Sequence, residues 1–139
     1  MQKRILILDD NEDILLPCCL ILERAGYYVA TRTSSNQILQ DVMDVNPDII
    51  LLDLKIPPLG GEHILNLLKE NLLTRNIHVL LFSAAGGLEA LARKYQADGF
   101  IQKPFDINIL LEKVRGKLII QETSFHSSFP LKKEQSDSK

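Results

Sequence analysis

The sequence has no tryptophan, little cysteine, and no extreme of charge or apolar run length. Its two cysteines, Cys18 and Cys19, are adjacent, and neighbours in sequence rarely form a disulfide bond with each other. We therefore expect two reduced thiols and no disulfide framework. A metal site made of cysteine and histidine is not expected either, because the three histidines, His63, His78 and His126, are scattered.

The charge balance and the short apolar runs also restrict where the protein acts. A formal net charge of −2 gives no general attraction to nucleic acid or to an anionic membrane. The first apolar run, residues 5–8, ends at two aspartates and is too short for a signal-peptide core or a membrane span. We expect a cytoplasmic protein that binds neither DNA nor a membrane directly.

The length of 139 residues suits one domain, and a hydrophobic content of 45% is sufficient for a core of normal size. The composition changes near residue 120, after which serine, lysine, glutamate and glutamine dominate. Such a segment buries too little apolar surface to offset its ordering entropy. We therefore predict a folded domain at residues 1–120 and a flexible polar tail at residues 121–139.

Apolar runs alternate five times with segments of helical period. The runs at residues 5–8 and 49–52 are apolar throughout, which is typical of parallel strands buried on both faces. The predicted strands are residues 5–8, 27–31, 49–52, 77–82 and 99–101. The predicted helices are residues 12–25, a segment that begins at Ser34 or Ser35, a segment around residues 64–68, one from the Gly86-Gly87 pair to about Tyr95, and residues 107–120. Pro17 should kink the first helix or end its first turn.

Strands that are separated by helices must run parallel, and right-handed crossovers then place helices on both faces of the sheet. The pattern therefore predicts an α/β fold, a doubly wound five-stranded parallel sheet of flavodoxin-like type with strand order 2-1-3-4-5 and five helices.

Polar side chains follow four of these strands at the point where each strand ends. Asp9 and Asp10 follow the first strand, Asp53 the third, Ser83 the fourth and Lys103 the fifth. In the order 2-1-3-4-5 these four strands are consecutive neighbours, so their carboxyl ends meet at one edge of the sheet, where open α/β sheets bind ligands. Taken singly, each signal could be only a helix cap or a surface turn.

Together these residue types suggest a particular chemistry. Three crowded carboxylates repel one another, and Mg²⁺, which prefers oxygen ligands, would relieve the repulsion. A lysine adds a positive charge for an anionic oxygen, and a serine adds a hydroxyl donor. A carboxylate nucleophile with these neighbours has the parts needed to accept a phosphoryl group.

On these residues the sequence resembles the receiver domain of bacterial response regulators of two-component systems, including stand-alone chemotaxis (CheY-like) and phosphorelay types. The resemblance covers about residues 3–120. It is carried by Gly61 and by the segments ILDDNED at residues 7–13, DIILLDLKIP at 48–57, LFSA at 81–84 and GFIQKPF at 99–105.

The resemblance implies a role for each residue of the metal and acceptor site. Asp53 would be the phosphoacceptor and also a ligand of Mg²⁺. Asp10 would bind the metal directly, Asp9 would act through a metal-bound water, and the backbone carbonyl of Lys55 would be the third protein ligand. Lys103 would pair with the phosphoryl group or with the unmodified Asp53.

The resemblance further implies a switch. Ser83 would reach in to hydrogen-bond a phosphoryl oxygen, and Phe100 would then rotate inward as the aromatic switch residue. The peptide bond before Pro104 would be cis, which proline permits. Helix four, strand five and helix five would present the changed surface to partners.

The implied partners are a sensor histidine kinase or a histidine phosphotransfer protein as donor, and a downstream protein that the sequence does not name. Residues 121–139 are too few to form an output domain, so we expect signalling by protein–protein contact or by onward transfer to a histidine. The domain would be a phosphoaccepting signalling domain that assists its own phosphorylation and slow autodephosphorylation, and not an enzyme in the usual sense.

Two other classes of function remain to be considered. A phosphate-independent interaction module would keep the surfaces without the chemistry, and the intact set of acidic residues, Ser83 and Lys103 argues against it. A dinucleotide-binding enzyme needs a glycine-rich turn after the first strand, where this chain has Asp9-Asp10-Asn11. An aspartate-nucleophile phosphatase would need a second acid at the position of Asn11.

Three features depart from the family pattern. Lys55 is long and positive, and should shield an acyl phosphate from water, while Ala85 cannot orient that water. The stretch from Ser83 to Lys103 is short, so helix four should be short, which puts dimerisation through that face in doubt. Phe100 lacks the hydroxyl that many relatives carry at this position.

Overall fold

The computed structural model describes the backbone of residues 2–127 and the side chains of residues 2–119. In this range five strands alternate with five helices. In chain order they are β1 (Arg4–Leu8), α1 (Glu12–Arg24), β2 (Tyr28–Arg32), α2 (Ile38–Val45), β3 (Ile49–Leu52), α3 (Gly61–Glu70), β4 (His78–Ser83), α4 (Leu88–Lys94), β5 (Gly99–Gln102) and α5 (Ile107–Ser127).

The strands form one parallel sheet in the order β2-β1-β3-β4-β5, which confirms the predicted fold. The register aligns the strand ends. Leu8 at the end of β1 lies opposite Leu52 at the end of β3, and Ser83 at the end of β4 lies opposite Gln102 at the end of β5. The residues that follow β1, β3, β4 and β5 therefore emerge at the same edge of the sheet.

The core has two layers because successive strand side chains point to opposite faces. One layer packs the sheet against α2, α3 and α4, and the other packs it against α1 and α5. In β1, for example, Leu6 and Leu8 belong to the first layer, whereas Ile5 and Ile7 belong to the second. All four are fully buried, which explains why the strand is apolar throughout.

Local signals at the ends of α1 agree with the sequence pattern. The Asn11 side chain accepts a hydrogen bond from the Asp13 N–H at 2.9 Å and so caps the helix. Gly26, with φ of 101°, follows the helix end. Pro17 lies inside α1, which continues to Arg24, so the first turn does not end there.

The start of α2 differs from the prediction, because the helix begins at Ile38 and not at Ser34 or Ser35. The buried Ser35 hydroxyl accepts a hydrogen bond from the Leu59 N–H at 2.9 Å, and the Ser35 N–H donates to the Pro57 carbonyl at 2.7 Å. Ser35 therefore joins the β2–α2 loop to the β3–α3 loop instead of capping a helix.

The structure agrees with the predicted length of α4 but not with the predicted end of α5. α4 has seven residues and is short, as expected. The backbone of α5 remains helical to Ser127, beyond the boundary predicted at residue 120, and no glycine or proline lies between Gly116 and Pro130 to break it. Residues 128–139 of the predicted tail lie outside the described range. No helix within residues 2–127 is both long and apolar enough to cross a membrane.

Gly61, the first residue of α3, allows the start of that helix to lie close against the backbone that follows β3. Its N–H donates to the Leu54 carbonyl at 2.8 Å. A Cβ atom at this position would lie 2.7 Å from the Leu54 Cα and 2.8 Å from the Asp53 carbonyl oxygen. Only glycine fits here without moving the backbone that carries Asp53.

We predict that Gly61→Ala lowers the free energy of unfolding by about 1–3 kcal/mol, because the added methyl group overpacks rigid backbone. Gly116→Ala is the matched control. Gly116 is exposed in α5, with open space around its Cα, and alanine there should stabilise the helix by about 0.5–1 kcal/mol. Urea unfolding followed by circular dichroism measures both changes, and equal stability of Gly61→Ala and the wild type would contradict the close packing.

Candidate functional site

Three carboxylates meet at the carboxyl edge of the sheet. Oxygen atoms of Asp9, Asp10 and Asp53 all lie within 4.8 Å of one another. Asp9 is fully buried and Asp53 is 6% exposed, whereas Asp10 is open to solvent. The Asp53 N–H donates to the Leu8 carbonyl at 2.9 Å, which extends the pairing of β1 with β3 to Asp53. The structure thus brings together the acidic residues that the sequence predicted.

Asp9 is held by the backbone on both sides and by a lysine. Its N–H donates to the Arg32 carbonyl at 3.1 Å, and its Oδ1 accepts from the Asn11 N–H at 2.9 Å. Its Oδ2 accepts from Lys103 Nζ at 2.5 Å. A carboxylate that is fully buried needs such partners, because an unpaired buried charge is costly.

Lys103 contacts Asp9 more closely than it contacts Asp53. Its Nζ lies 3.9 Å from Asp53 Oδ1, which is a longer-range ion pair than the 2.5 Å contact to Asp9. The same ammonium lies 4.6 Å from the centre of the Phe82 ring, a cation–π geometry. The Lys103–Pro104 peptide bond is cis, the isomer that the resemblance implies. The expected pairing with the unmodified Asp53 is therefore secondary to a pairing with Asp9.

The pKa of Asp53 is raised above its ordinary value of 3.8. Burial is the largest cause, followed by the negative charge of Asp9. Lys103 and a hydrogen bond from the Lys55 backbone N–H act in the opposite direction, and Asp10 adds a further small increase. Asp53 is thus an acid whose negative charge is incompletely balanced. A hard divalent cation among these three carboxylates would supply the missing balance, so the donor set fits Mg²⁺.

Ser83 lies at the end of β4 and is 1% exposed. Its Oγ accepts a hydrogen bond from the Ala85 N–H at 3.1 Å, so the hydroxyl is engaged by its own loop. Its backbone carbonyl accepts from the Lys103 N–H at 2.8 Å, which continues the β4–β5 pairing. Ser83 and Lys103 are therefore joined by a backbone hydrogen bond.

The predicted residues Lys55 and Phe100 differ in their exposure to solvent. The Lys55 residue is exposed, and its backbone N–H is near enough to the Asp53 carboxylate to lower the pKa of that group. Phe100 is half-buried against the core layer of α2, α3 and α4, and Lys113 Nζ lies 5.0 Å from the centre of its ring.

Two contributions to the site were not found from the sequence. Phe82 supports the Lys103 ammonium, but in the sequence it is only one apolar residue of a buried strand. Cys18 lies close enough to Asp9 and Lys103 for both charges to affect its pKa. Burial, and after it the charge of Asp9, raises the pKa of the thiol to about 11. The thiol therefore stays protonated, and both cysteines are free, as predicted.

Comparison with known proteins identifies, over most of the chain, the family that the sequence resembles. The family described as the response regulator receiver domain matches residues 5–115. The phosphate regulon transcriptional regulatory protein PhoB of Klebsiella pneumoniae is 31% identical over 117 residues, which are 83% of this chain and 51% of that protein. The chain thus spans about half the length of that regulator. The sporulation initiation phosphotransferase F of Bacillus subtilis is 32% identical over 117 residues. These are 83% of this chain and 93% of that protein.

A solved structure agrees with these matches. The crystal structure of a CheY-like response regulator receiver domain protein from Methanospirillum hungatei superposes with a TM-score of 0.80 at 28% identity. The match covers 89% of this chain and 99% of that one.

We predict that Asp53→Asn stabilises the fold in metal-free buffer at pH 7 by on the order of 1 kcal/mol. Because folding raises the pKa of Asp53, the folded state holds the proton more tightly than the unfolded state, and the ionised carboxylate opposes folding. The destabilisation of the folded state by this carboxylate grows as the pH rises through 3.8 and then through the higher pKa of the folded state. Urea unfolding in EDTA should therefore show a gain that shrinks as the pH is lowered.

The control for this measurement is Asp44→Asn, which removes an exposed carboxylate of α2. This variant should be within about 0.5 kcal/mol of the wild type. A loss of stability in Asp53→Asn at pH 7 would show that the Asp53 charge is fully compensated without a metal.

Proposed function

Because the chain belongs to the response regulator receiver domain family, we propose that it is a Mg²⁺-dependent phosphoacceptor whose modified residue is Asp53. The observation that carries the proposal is the meeting of Asp53, Asp9, Asp10 and Lys103 at one edge of the sheet. Asp53 offers a nucleophilic carboxylate in a buried position, and its charged neighbours are those that a phosphoryl group requires.

We assign the metal to the three carboxylates and to one backbone carbonyl. Asp10 and Asp53 would bind Mg²⁺ directly, Asp9 would act through a metal-bound water, and the carbonyl of Lys55 would complete the protein ligands. When bound, Mg²⁺ supplies positive charge against the phosphoryl oxygens. The exposed carboxylate of Asp10 leaves an open side through which the cation and the donor can reach Asp53.

The transfer step uses the residues of the chain as follows. An Asp53 Oδ atom attacks the phosphorus of a phosphohistidine, an O–P bond forms, and the N–P bond breaks with its electron pair left on the imidazole. Lys103 is 3.9 Å from Asp53 in the resting state and needs to move little to pair with a phosphoryl oxygen. Its backbone N–H bond to Ser83 keeps it aligned during this exchange.

Phosphorylation would then act on Ser83. The new oxygens offer an acceptor to the Ser83 O–H, and the hydroxyl turns toward the phosphoryl group, away from the Ala85 N–H from which it accepts in the resting state. The loop after β4 follows, Phe100 moves into the space beside it, and the surface of α4, β5 and α5 changes. This is a shift between two populations that a local change in charge favours.

The donor would be a sensor histidine kinase or a histidine phosphotransfer protein in the cytoplasm. The high coverage of a sporulation phosphotransferase by this chain supports a role in phosphoryl relay. The output would be contact with a downstream protein or onward transfer to a histidine, without direct DNA or membrane binding. Reduced cysteines suit the cytoplasm.

We predict that acetyl phosphate with Mg²⁺ adds one phosphoryl group to the full chain, as measured by intact mass. Asp53→Asn and excess EDTA should each abolish the adduct, because one removes the nucleophile and the other removes the metal. Binding of Mg²⁺ and of beryllofluoride is measured in parallel, because a receiver that accepts a phosphoryl group only from its kinase would bind both without forming the adduct. Absence of the adduct and of both binding events would favour a phosphate-independent interaction module.

We also predict that Lys55→Ala accelerates dephosphorylation of Asp53 by about threefold to tenfold, which corresponds to a small change in barrier. Lys55 is two residues after Asp53 and its backbone lowers the pKa of that carboxylate, so its exposed side chain can cover the acyl phosphate from attacking water. The decay of the adduct after removal of acetyl phosphate gives the rate. Lys94→Ala, which removes an exposed charge of α4, is the control, and equal rates for both variants would refute the shielding role.

A further inference from the structure

The loop between β4 and α4, residues 84–87, is held by a side chain that has no part in the chemistry. The Gln102 Nε2 atom donates to the Ala85 carbonyl at 3.2 Å. The same nitrogen lies 3.4 Å from the carbonyls of Ser83 and of Lys103. One neutral amide thus contacts the end of β4, the loop and the end of β5.

These contacts form a chain that ends at the Ser83 hydroxyl. Gln102 bonds the carbonyl of Ala85, and the N–H of Ala85 donates to Ser83 Oγ. The position of Ala85 therefore depends on Gln102, and the orientation of the Ser83 hydroxyl depends on the position of Ala85. The side chain of Gln102 is exposed, so water competes for its amide and the restraint is a weak one.

The register of the sheet explains why Gln102 can reach the loop. It lies directly opposite Ser83 in the pairing of β4 with β5. It also shares a face of β5 with Phe100, two residues earlier, whereas Ile101 between them belongs to the opposite core layer. Gln102 therefore lies between the loop that Ser83 begins and the aromatic ring that is proposed to respond to it.

We propose that Gln102 is a positioning residue that restrains the β4–α4 loop in its resting place and so opposes the turning of Ser83 toward Asp53. The proposal rests on the proposed phosphoacceptor function. A contact made only in the resting state stabilises that state, so its removal shifts the population toward the active one. A glutamine is suited to this role because its amide donates to carbonyls without adding charge beside the acidic site.

The first part of the test is amide hydrogen exchange of the full chain by NMR, without metal or phosphoryl mimic. In Gln102→Ala the Ala85 amide should exchange about twofold to tenfold faster than in the wild type, the range expected for loss of one net hydrogen bond. Gln102→Glu, which keeps the length but removes the donor, should give the same direction. The control is Gln37→Ala, because Gln37 is an exposed glutamine at the N-cap of α2 whose side chain makes no capping hydrogen bond.

The second part measures the affinity for beryllofluoride in the presence of Mg²⁺. Gln102→Ala should bind about twofold to tenfold more tightly than the wild type, because less of the resting restraint must be broken, and Gln37→Ala should bind as the wild type does. Unchanged exchange at Ala85 overturns the restraint, and faster exchange with unchanged affinity overturns its link to the switch. If no variant binds beryllofluoride, the proposed function fails, and the exchange measurement still decides whether Gln102 holds the loop.

Discussion

The arrangement of the acidic site depends on an incomplete balance of negative and positive charge at the ends of β1 and β3. Asp9 and Asp53 are both buried, and Lys103 lies much nearer to Asp9 than to Asp53. One carboxylate is therefore neutralised at short range and the other only at longer range. The rigid, fully buried strands prevent the two acids from moving apart. The fold thus maintains an electrostatic cost at Asp53, which a bound cation or a proton can relieve.

This arrangement separates a rigid part of the site from a compliant part. The acidic residues follow β1 and β3, which are interior strands of the sheet and pair on both sides. Ser83 is followed by a loop whose described side-chain hydrogen bonds come from Ser83 itself and from the exposed Gln102. The proposed binding chemistry would consequently lie where the backbone is rigid, and the proposed response would lie where a few weak contacts hold the loop.

Much of the fold and the residues of the site could be predicted from the sequence, because both depend on local patterns. Apolar runs that end in polar residues identify parallel strands, and the strand order then brings those polar residues to one edge. The start of α2 could not be predicted in this way. Ser35 looks like a helix cap, but its hydroxyl is used by Leu59, a residue that is distant in sequence. Likewise, the preference of Lys103 for Asp9 depends on geometry within the assembled site.

The site residues that sequence patterns miss make their important contacts with a neighbouring strand or with the loop that follows it. Phe82 of β4 and Gln102 of β5 look like an ordinary core residue and an ordinary surface residue. In the sheet, Phe82 supports Lys103 on the face covered by α1 and α5, and Gln102 holds the loop on the face of Phe100. Because side chains alternate along β5, Lys103 and Gln102 lie next to each other in sequence yet act on opposite faces. One peptide unit at the end of β5 therefore joins the residue that neutralises Asp9 to the residue that contacts the loop.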